Sequence, residues 1–490
     1  MNYLYTNIVL KLRNSPRVLP ALMMKIPPQN TGVISFNIRQ KSTSNKKWRG
    51  RLEYLNREDP SEKSKSVKNN DNDIKMKEKS MNKNNRVYLW GNGELGALGQ
   101  LGFLHPKAGR TALYKMRRPF VSSLSNYCNV RSAACGYGYT LFVTDHREKY
   151  LFGTGLNDCG QLGHQRRLNP SGGETGGALE MVIVPSVIRL PLHSGEKVVE
   201  VAGGRAHSLA LTSAGRVLAW GHNGYGQCGR AVVEGEDYLR ARVVHSMAAE
   251  GLEGRLVAVV AGQDHSLALS SCGSVWSCGW GADGQTGLGH YNNTASLSRL
   301  RGDIAGERIV KLSCAADCVL ALSERGEVFC WGNSEYGQLR TVTSEQQVNL
   351  PTLLPTPGLG RVVDVASGGT VCLLLTEDGQ VWVWGWGILG KGPALESSLQ
   401  PTALPQTLFG TEAFGDSGRV RSVHAGLSHQ AAITEGGDLY IWGRNRAGCL
   451  GLHTDQDRYF PLKVPIGGKV KQVSLGVDHT VAIVKPWMSK

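Results

Sequence analysis

The 490-residue sequence predicts an all-β fold, a seven-bladed β-propeller closed by pairing its N- and C-terminal strands. One observation is a phrase that occurs seven times: an apolar residue or Trp, then Gly, with a second Gly five residues on and usually a third at eight. The anchors are Gly91, Gly155, Gly221, Gly279, Gly332, Gly385 and Gly443, separated by 64, 66, 58, 53, 53 and 58 residues. A period of that size, in a Gly-rich chain with apolar runs between the glycines, marks a radial β array rather than a helical solenoid. The second observation is another phrase in seven copies, of which GRAHSLALT (204–212), GQDHSLALS (262–270), GLSHQAAIT (426–434) and GVDHTVAIV (476–484) are the clearest. About a dozen residues separate each internal copy from the next Trp-Gly phrase. The junctions, such as Ala214-Gly215, Asp378-Gly379 and Gly436-Gly437, read as hairpin turns, so each pair is two adjacent antiparallel strands.

The third observation is order. The chain opens with a Trp-Gly phrase (87–91) that has no partner before it and ends with a His phrase (476–484) that has none after it. The two orphans complete one blade, with Val87, Leu89 and Trp90 expected to pair with the strand 480–484, and the closure removes the open edge a linear array would leave. The propeller is placed at 86–485.

Ahead of it lie two segments of different composition. Ten basic residues precede the first acidic one, Glu53, and Lys11, Arg13, Arg17 and Lys25 interrupt every apolar run. A secretory signal needs one compact apolar core, so 1–51 reads as a mitochondrial presequence and the mature protein is expected in the matrix or on the matrix face of the inner membrane. Residues 52–85 are mostly Lys, Ser, Asn and acidic residues, too poor in apolar surface to fold, and are assigned as a charged, disordered linker. The net charge of +15 is therefore unevenly placed: residues 1–85 hold 18 Lys/Arg against 7 Asp/Glu, leaving 37 against 33 on the propeller. A broad phosphate-binding face on the folded domain is not expected from that balance. No run of eighteen apolar residues occurs, so membrane association would be peripheral.

Chemistry-bearing motifs are absent. There is no phosphate loop, no nucleophile elbow, no Cys-x-x-Cys and no His/Cys/carboxylate set with metal spacing, so neither cofactor, metal nor a catalytic residue is assigned. The eleven cysteines are scattered and read as reduced thiols. His207, His265, His429 and His479 share one repeat position, with Tyr139, Cys318 and Cys372 assigned to it in the other blades. A catalytic or metal-binding histidine has no reason to recur around a ring, so these are read as buried strand residues whose ring nitrogens are satisfied by neighbouring backbone. Trp90, Trp220, Trp331, Trp384 and Trp442 fall inside strands just before the anchor glycines and are read as packing between blades rather than platforms for bases. The phrases 279–293 and 384–392 depart most from the plain repeat and are candidate surface features.

The alternation of WGHNGYGQCG (220–229) and WGNSEYGQL (331–339) with GRAHSLALT, in seven copies from 87 to 484, resembles the regulator of chromosome condensation family. AACGYGYTL (133–141), AGQDHS (261–266) and WGWGILGKGP (384–393) are most similar to its mitochondrial, guanine-exchange-factor-like branch. The resemblance implies two roles. One is a non-enzymatic scaffold that works with pseudouridine synthases and RNA-binding proteins to support the large mitochondrial ribosomal RNA, ribosome biogenesis and translation. The other is guanine-nucleotide exchange on the dynamin-like GTPase of inner-membrane fusion. The family's nuclear founder carries an exchange-face aspartate in a GxDH phrase, which places Asp264 and His265 of GQDH on a candidate partner face, with Asp478 of GVDH as a second match. No counterpart of the founder's basic chromatin-binding tail is recognisable, so no DNA partner is expected.

Overall fold

The computed structural model describes residues 85–100, 115–146, 150–168 and 174–487. The expected presequence and, apart from Asn85, the linker lie outside them. Seven four-stranded antiparallel sheets form the ring. In chain order blade 1 spans 130–187, blade 2 198–247, blade 3 256–299, blade 4 309–354, blade 5 362–404 and blade 6 420–463. Blade 7 joins the two ends of the domain: Lys469–Leu475 and His479–Lys485 supply its first two strands, Arg86–Asn92 and Lys115–Val121 its last two. Arg86 pairs with Val484, Leu89 with Val481 and Trp90 with Thr480, as the orphan phrases predict.

Within a blade the strands differ because their surroundings differ. In blades 1 to 6 the second strand is buried at every residue, for example His207–Thr212 and His265–Ser270, since a blade lies against each of its faces, and it reads as a near-continuous apolar run. The fourth strand is half exposed, as in Gln347–Leu354. First strands run along the axis, and residues of all seven, among them Ala133, Val201, Val259, Lys311, Val365, Val423 and Val473, line a central cavity of about 240 Å³. Core clusters form across blade boundaries: Trp220 of blade 2 packs with Leu141 and Leu162 of blade 1, and Trp442 of blade 6 with Leu373 and Val383 of blade 5.

The anchor glycines follow from strand spacing. A Cβ on Gly332 would stand 2.0 Å from the Asp317 carbonyl oxygen and one on Gly385 2.2 Å from that of Thr370, and both residues have φ near +100° (+96° and +107°). Two faces result. The loop face carries the turns between first and second strands and the Gly-rich loops that follow the third. The hairpin face carries the turns between second and third strands, with Gly215, Gly273, Gly326, Gly379 and Gly437 at positive φ, and the connections between blades.

Candidate functional site

The repeated polar residues assemble into a latch between neighbouring blades. His207 of blade 2 is fully buried with Nε2 3.0 Å from Ser266 Oγ of blade 3, and that hydroxyl donates to the Gln227 carbonyl in the Gly-rich loop of blade 2 at 2.7 Å. With its one hydrogen committed to the carbonyl, Ser266 accepts from the ring, so Nε2 carries the proton. His429 repeats this with Thr480 (3.1 Å, then 2.9 Å to the Cys449 carbonyl) and His479 with Thr140 (3.0 Å, then 2.8 Å to Ala97). Tyr139 reaches the same end differently, donating to the His207 carbonyl at 2.6 Å, with its oxygen 3.2 Å from Ser208 Oγ, which donates to the Gln161 carbonyl at 2.7 Å. The reading of backbone partners for these rings is therefore corrected: the partner of His207, His429 and His479 is a hydroxyl of the next blade, and Nδ1 of His207, His265 and His429 has none within the protein. Burial disfavours the charged ring and drives His207 and His265 down to about 3 and His429 to about 4.

The tryptophans share the same acceptors. Trp220 Nε1 donates to the Gln161 carbonyl of blade 1 at 2.9 Å, Trp331 to Gln285 at 3.0 Å, Trp384 to Gln338 at 2.7 Å and Trp90 to Cys449 at 2.7 Å. Each indole lies against the preceding blade's loop, and a Cβ on Gly451 would stand 2.8 Å from Trp90 Nε1. The equivalent assignment of Cys372 is off by one residue. Val371 pairs with Gly385 as His265 does with Gly279, so Val371 holds the histidine position. Cys372, pointing the other way along the strand, takes the hydroxyl position and lies 4.0 Å from Cys318 Sγ.

Asp264 stands in the first-to-second-strand turn of blade 3 on the loop face, and its side chain is 8% exposed. Arg205 of blade 2, in the preceding turn, takes both carboxylate oxygens, with Nε donating to Oδ1 at 3.1 Å and Nη2 paired with Oδ2. His265, next along the chain, points inward with its Nε2 3.6 Å from Cys314 Sγ. Asp478, the second match, accepts from Asn92 Nδ2 at 2.8 Å and has an oxygen 3.9 Å from His479 Nδ1. Burial works to raise its carboxyl, but these neighbours prevail and hold it below the usual aspartate range. A third aspartate, Asp317, occupies the same turn position in blade 4 and accepts from Gln285 Nε2 at 3.1 Å. Sequence reasoning passed over it because cysteine follows it where the other two are followed by histidine.

Around these turns the loop face is aromatic. Tyr225 of blade 2 meets Trp280 of blade 3 edge-on at 4.5 Å, and Tyr336 of blade 4 stacks with Trp386 of blade 5 at 5.8 Å. The two irregular phrases, 279–293 and 384–392, thus each supply one half of a blade-crossing pair. Tyr137 of blade 1 reaches across the axis to donate to the Ala315 carbonyl of blade 4 at 3.4 Å, narrowing this end of the central channel. Among the described residues no group of three His, Cys, Asp or Glu could hold a metal ion, and all eleven cysteines are free.

A ring of Trp-Gly/His blades whose repeat-position side chains are spent between blades, with aromatic and polar loops left on one face, defines a propeller of the regulator of chromosome condensation type. The chain belongs to the regulator of chromosome condensation (RCC1) repeat family, whose repeat matches residues 84–143, 198–227 and 214–269, with an RCC1-like domain matched over 252–486. It is 47% identical over 412 residues to the mouse RCC1-like G exchanging factor-like protein, covering 82% of this chain and 88% of that one. The human protein of that name is 45% identical over 412 residues, at 82% and 87% coverage. The crystal structure of human WBSCR16 superposes with a TM-score of 0.75 at 44% identity, over 82% of this chain and 100% of that one. Yeast RCC1 (Prp20), solved bound to Kap60, superposes at 0.65 over 88% of this chain and 96% of that one; at 21% identity this shows the shared fold alone.

Proposed function

We propose that this propeller is a non-enzymatic scaffold of the mitochondrial matrix that binds macromolecular partners and supports the large-subunit ribosomal RNA, ribosome biogenesis and translation. One observation carries the reading: the recurrent histidines, tryptophans and Asp264 are all engaged between blades, so the residues that look most like chemistry build the ring, and recognition falls to its faces. The basic segment ahead of Glu53 supports a matrix location, and the resemblance to the mitochondrial branch supports the ribosomal role. Depletion should lower the large mitochondrial ribosomal RNA and matrix translation together; unchanged levels of both would sink the proposal. Proximity labelling from the matrix should recover pseudouridine synthases and RNA-binding proteins.

A second reading is favoured by the name of the two relatives at 45–47% identity, which describes a G exchanging factor-like protein. Exchange on the mitochondrial inner-membrane fusion GTPase needs no phosphate loop in this chain. It needs a face that binds the nucleotide-free GTPase better than the nucleotide-bound one. Release of labelled GDP from the purified GTPase, with and without this protein, tests it, and equal rates would remove it.

A further inference from the structure

The first strand of every blade carries a β-bulge at the same place. Pairing with the second strand shifts between Val130 and Ser132, Leu256 and Ala258, Ile309 and Lys311, Val362 and Asp364, Val420 and Ser422, and Val470 and Gln472, and blade 2 does the same between Val198 and Glu200. Each bulge leaves one extra residue without a ladder partner and re-aims its side chain. The residues before and after it enter the core or the channel; the extra one is exposed at the hairpin-face mouth of the channel. Its identity divides the ring. Blades 2 to 5 place Val199, Val257, Val310 and Val363 there, 47%, 39%, 47% and 42% exposed. Blades 6, 7 and 1 place Arg421, Lys471 and Arg131 there, all exposed.

A second circle of charge surrounds the first. The residue just ahead of each bulge pair is Lys197, Arg255, Arg308, Arg361, Arg419 or Lys469 in six blades, all exposed, and Asn129 in the seventh. Backbone bonds hold this circle in place: the Lys197, Arg255, Arg308, Arg361 and Arg419 carbonyls each accept from the residue that follows the neighbouring second strand. Three of the cations have loose, exposed carboxylate neighbours, Arg131 with Asp145 at 3.8 Å, Arg308 with Glu324 at 3.4 Å and Arg361 with Glu377 at 4.0 Å. Arg421 donates to the Thr434, Val470 and Lys471 carbonyls and so keeps its charge fixed beside the mouth. Lys197, Arg255, Arg419, Lys469 and Lys471 make no ion pair among the described residues.

We infer that the hairpin-face mouth is a docking surface for an acidic amphipathic segment of a partner protein, its apolar side on the valine arc and its carboxylates on the basic arc and outer circle. The valines decide against a nucleic acid, because an aliphatic side chain offers no π-face on which a base could stack. The cations decide against a purely apolar partner and against the chain's own first 85 residues, which carry 18 Lys/Arg against 7 Asp/Glu and would be repelled. An arc of valines held in water by bulges across four successive blades, rimmed by charge, has the make-up of an interaction site.

The inference rests on the partner-binding reading and not on the ribosomal role, and its test is separate. Full-length protein is titrated into a fluorescein-labelled helical peptide of about 18 residues, five turns, with Val and Leu on one face and Glu on the other. The comparison probes are a scrambled peptide of the same composition and a labelled oligouridylate. The ordered peptide should bind at least tenfold tighter than the scrambled one. V257S/V310S should weaken it about tenfold, the scale of one valine's burial, without moving the melting temperature. R421Q/K471Q should weaken it and flatten its salt dependence. Equal binding of the two peptides, no effect of V257S/V310S, or binding of the oligouridylate alone would each overturn the proposal. Peptide binding together with an unchanged ribosomal RNA on depletion would keep this surface and remove the ribosomal role.

Discussion

The two halves of the ring are held together by different means. From blade 6 through 7 and 1 to blade 3, every boundary has a buried ring within 3.2 Å of a hydroxyl of the next blade, and that hydroxyl donates back to the Gly-rich loop of the ring's blade. From blade 3 to blade 6 the chain is missing: Val319 and Gln430 stand where the hydroxyls would be, and Cys318 faces Cys372. Blade 5 against blade 6 is the extreme case, with Val371 in the histidine position and Trp442 Nε1 and Gln430 Oε1 without partners in the protein. That boundary is held by shape, with Phe409 wedged edge-on against Tyr440 and Trp442 at 5.5 and 6.2 Å, by Asp364 accepting from the Val423 amide at 3.0 Å, and by backbone bonds such as Gly392 N–H to the Tyr459 carbonyl at 3.0 Å. Both boundaries of the blade that closes the circle belong to the latched half. The latch is complete on both sides of the blade whose own strands come from the two ends of the domain, and it is lost across three consecutive boundaries elsewhere in the ring.

The largest break in this comparison is removal of the closing strand. Deleting residues 86–91 should leave the strand His479–Lys485 as an open edge, strip Trp90 from the latch at Cys449, and give an insoluble protein or a melting temperature lowered by well over ten degrees in a circular dichroism melt. Acid should act next. His207, His265 and His429 stay neutral in the fold down to about 3, 3 and 4, whereas in the unfolded chain they take up protons near 6.5. The contribution of these three is therefore full above pH 6.5 and falls as pH drops toward 4, by roughly 1.4 kcal/mol per pH unit for each of them. His479, which burial pulls down but Cys135 and Asp478 raise to about 10, acts in the opposite sense. Chemical denaturation at pH 7.5 and 5.5 measures the slope, and H207Q should reduce it.

Asp264→Asn comes third. It leaves the Arg205 guanidinium buried without its counter-charge and should cost about 3–5 kcal/mol, while R205M/D264L should recover most of that loss. A D264N protein of unaltered stability that has lost only GTPase activation would return this residue to the exchange face. The latch itself is smaller: Thr480→Val should cost about 1–3 kcal/mol, because both His429 and the Cys449 carbonyl lose a partner. Val319→Thr should gain up to about 1 kcal/mol by completing the missing hydroxyl beside His265. The finest contrast pairs two tryptophans. Trp90→Phe breaks a bond to Cys449 and Trp442→Phe breaks none, so the second should be milder by about 1 kcal/mol in the same unfolding assay.

Much of this ring was legible in the sequence, and the parts that were not share a cause. Second and third strands announced themselves because they are buried on both faces and joined by glycine turns. First strands did not, because the bulge at Arg131, Val199 and their equivalents interrupts the alternation by which a strand is recognised. Fourth strands such as Gln347–Leu354 are half in water and show no clear pattern. Closure at Val87–Trp90 was readable from phrase order alone. The histidines' burial was readable too, but their partners were not, since Ser266 and Thr480 belong to the following blade and only the register brings them opposite. Cys372 is misplaced by one residue because TVCLLLT carries no His-Ser pair to fix its alignment, which only the pairing of Val371 with Gly385 sets. For Asp264 the GQDH phrase located the turn, yet Arg205 lies 59 residues away and nothing local marks the pair.

The closing blade also imposes a timetable. Asn92 bonds to Asp478 across 386 residues, so the earliest strand of the domain finds its neighbour only when the final strand has emerged. Until then six blades can form in sequence, each from local contacts, while the edge of Arg86–Asn92 waits unpaired for almost the whole synthesis of the chain. Such a delay makes the last step slow and exposes a strand edge to aggregation throughout. A chaperone that shields that edge would raise the yield of closed rings without altering the stability of the finished one.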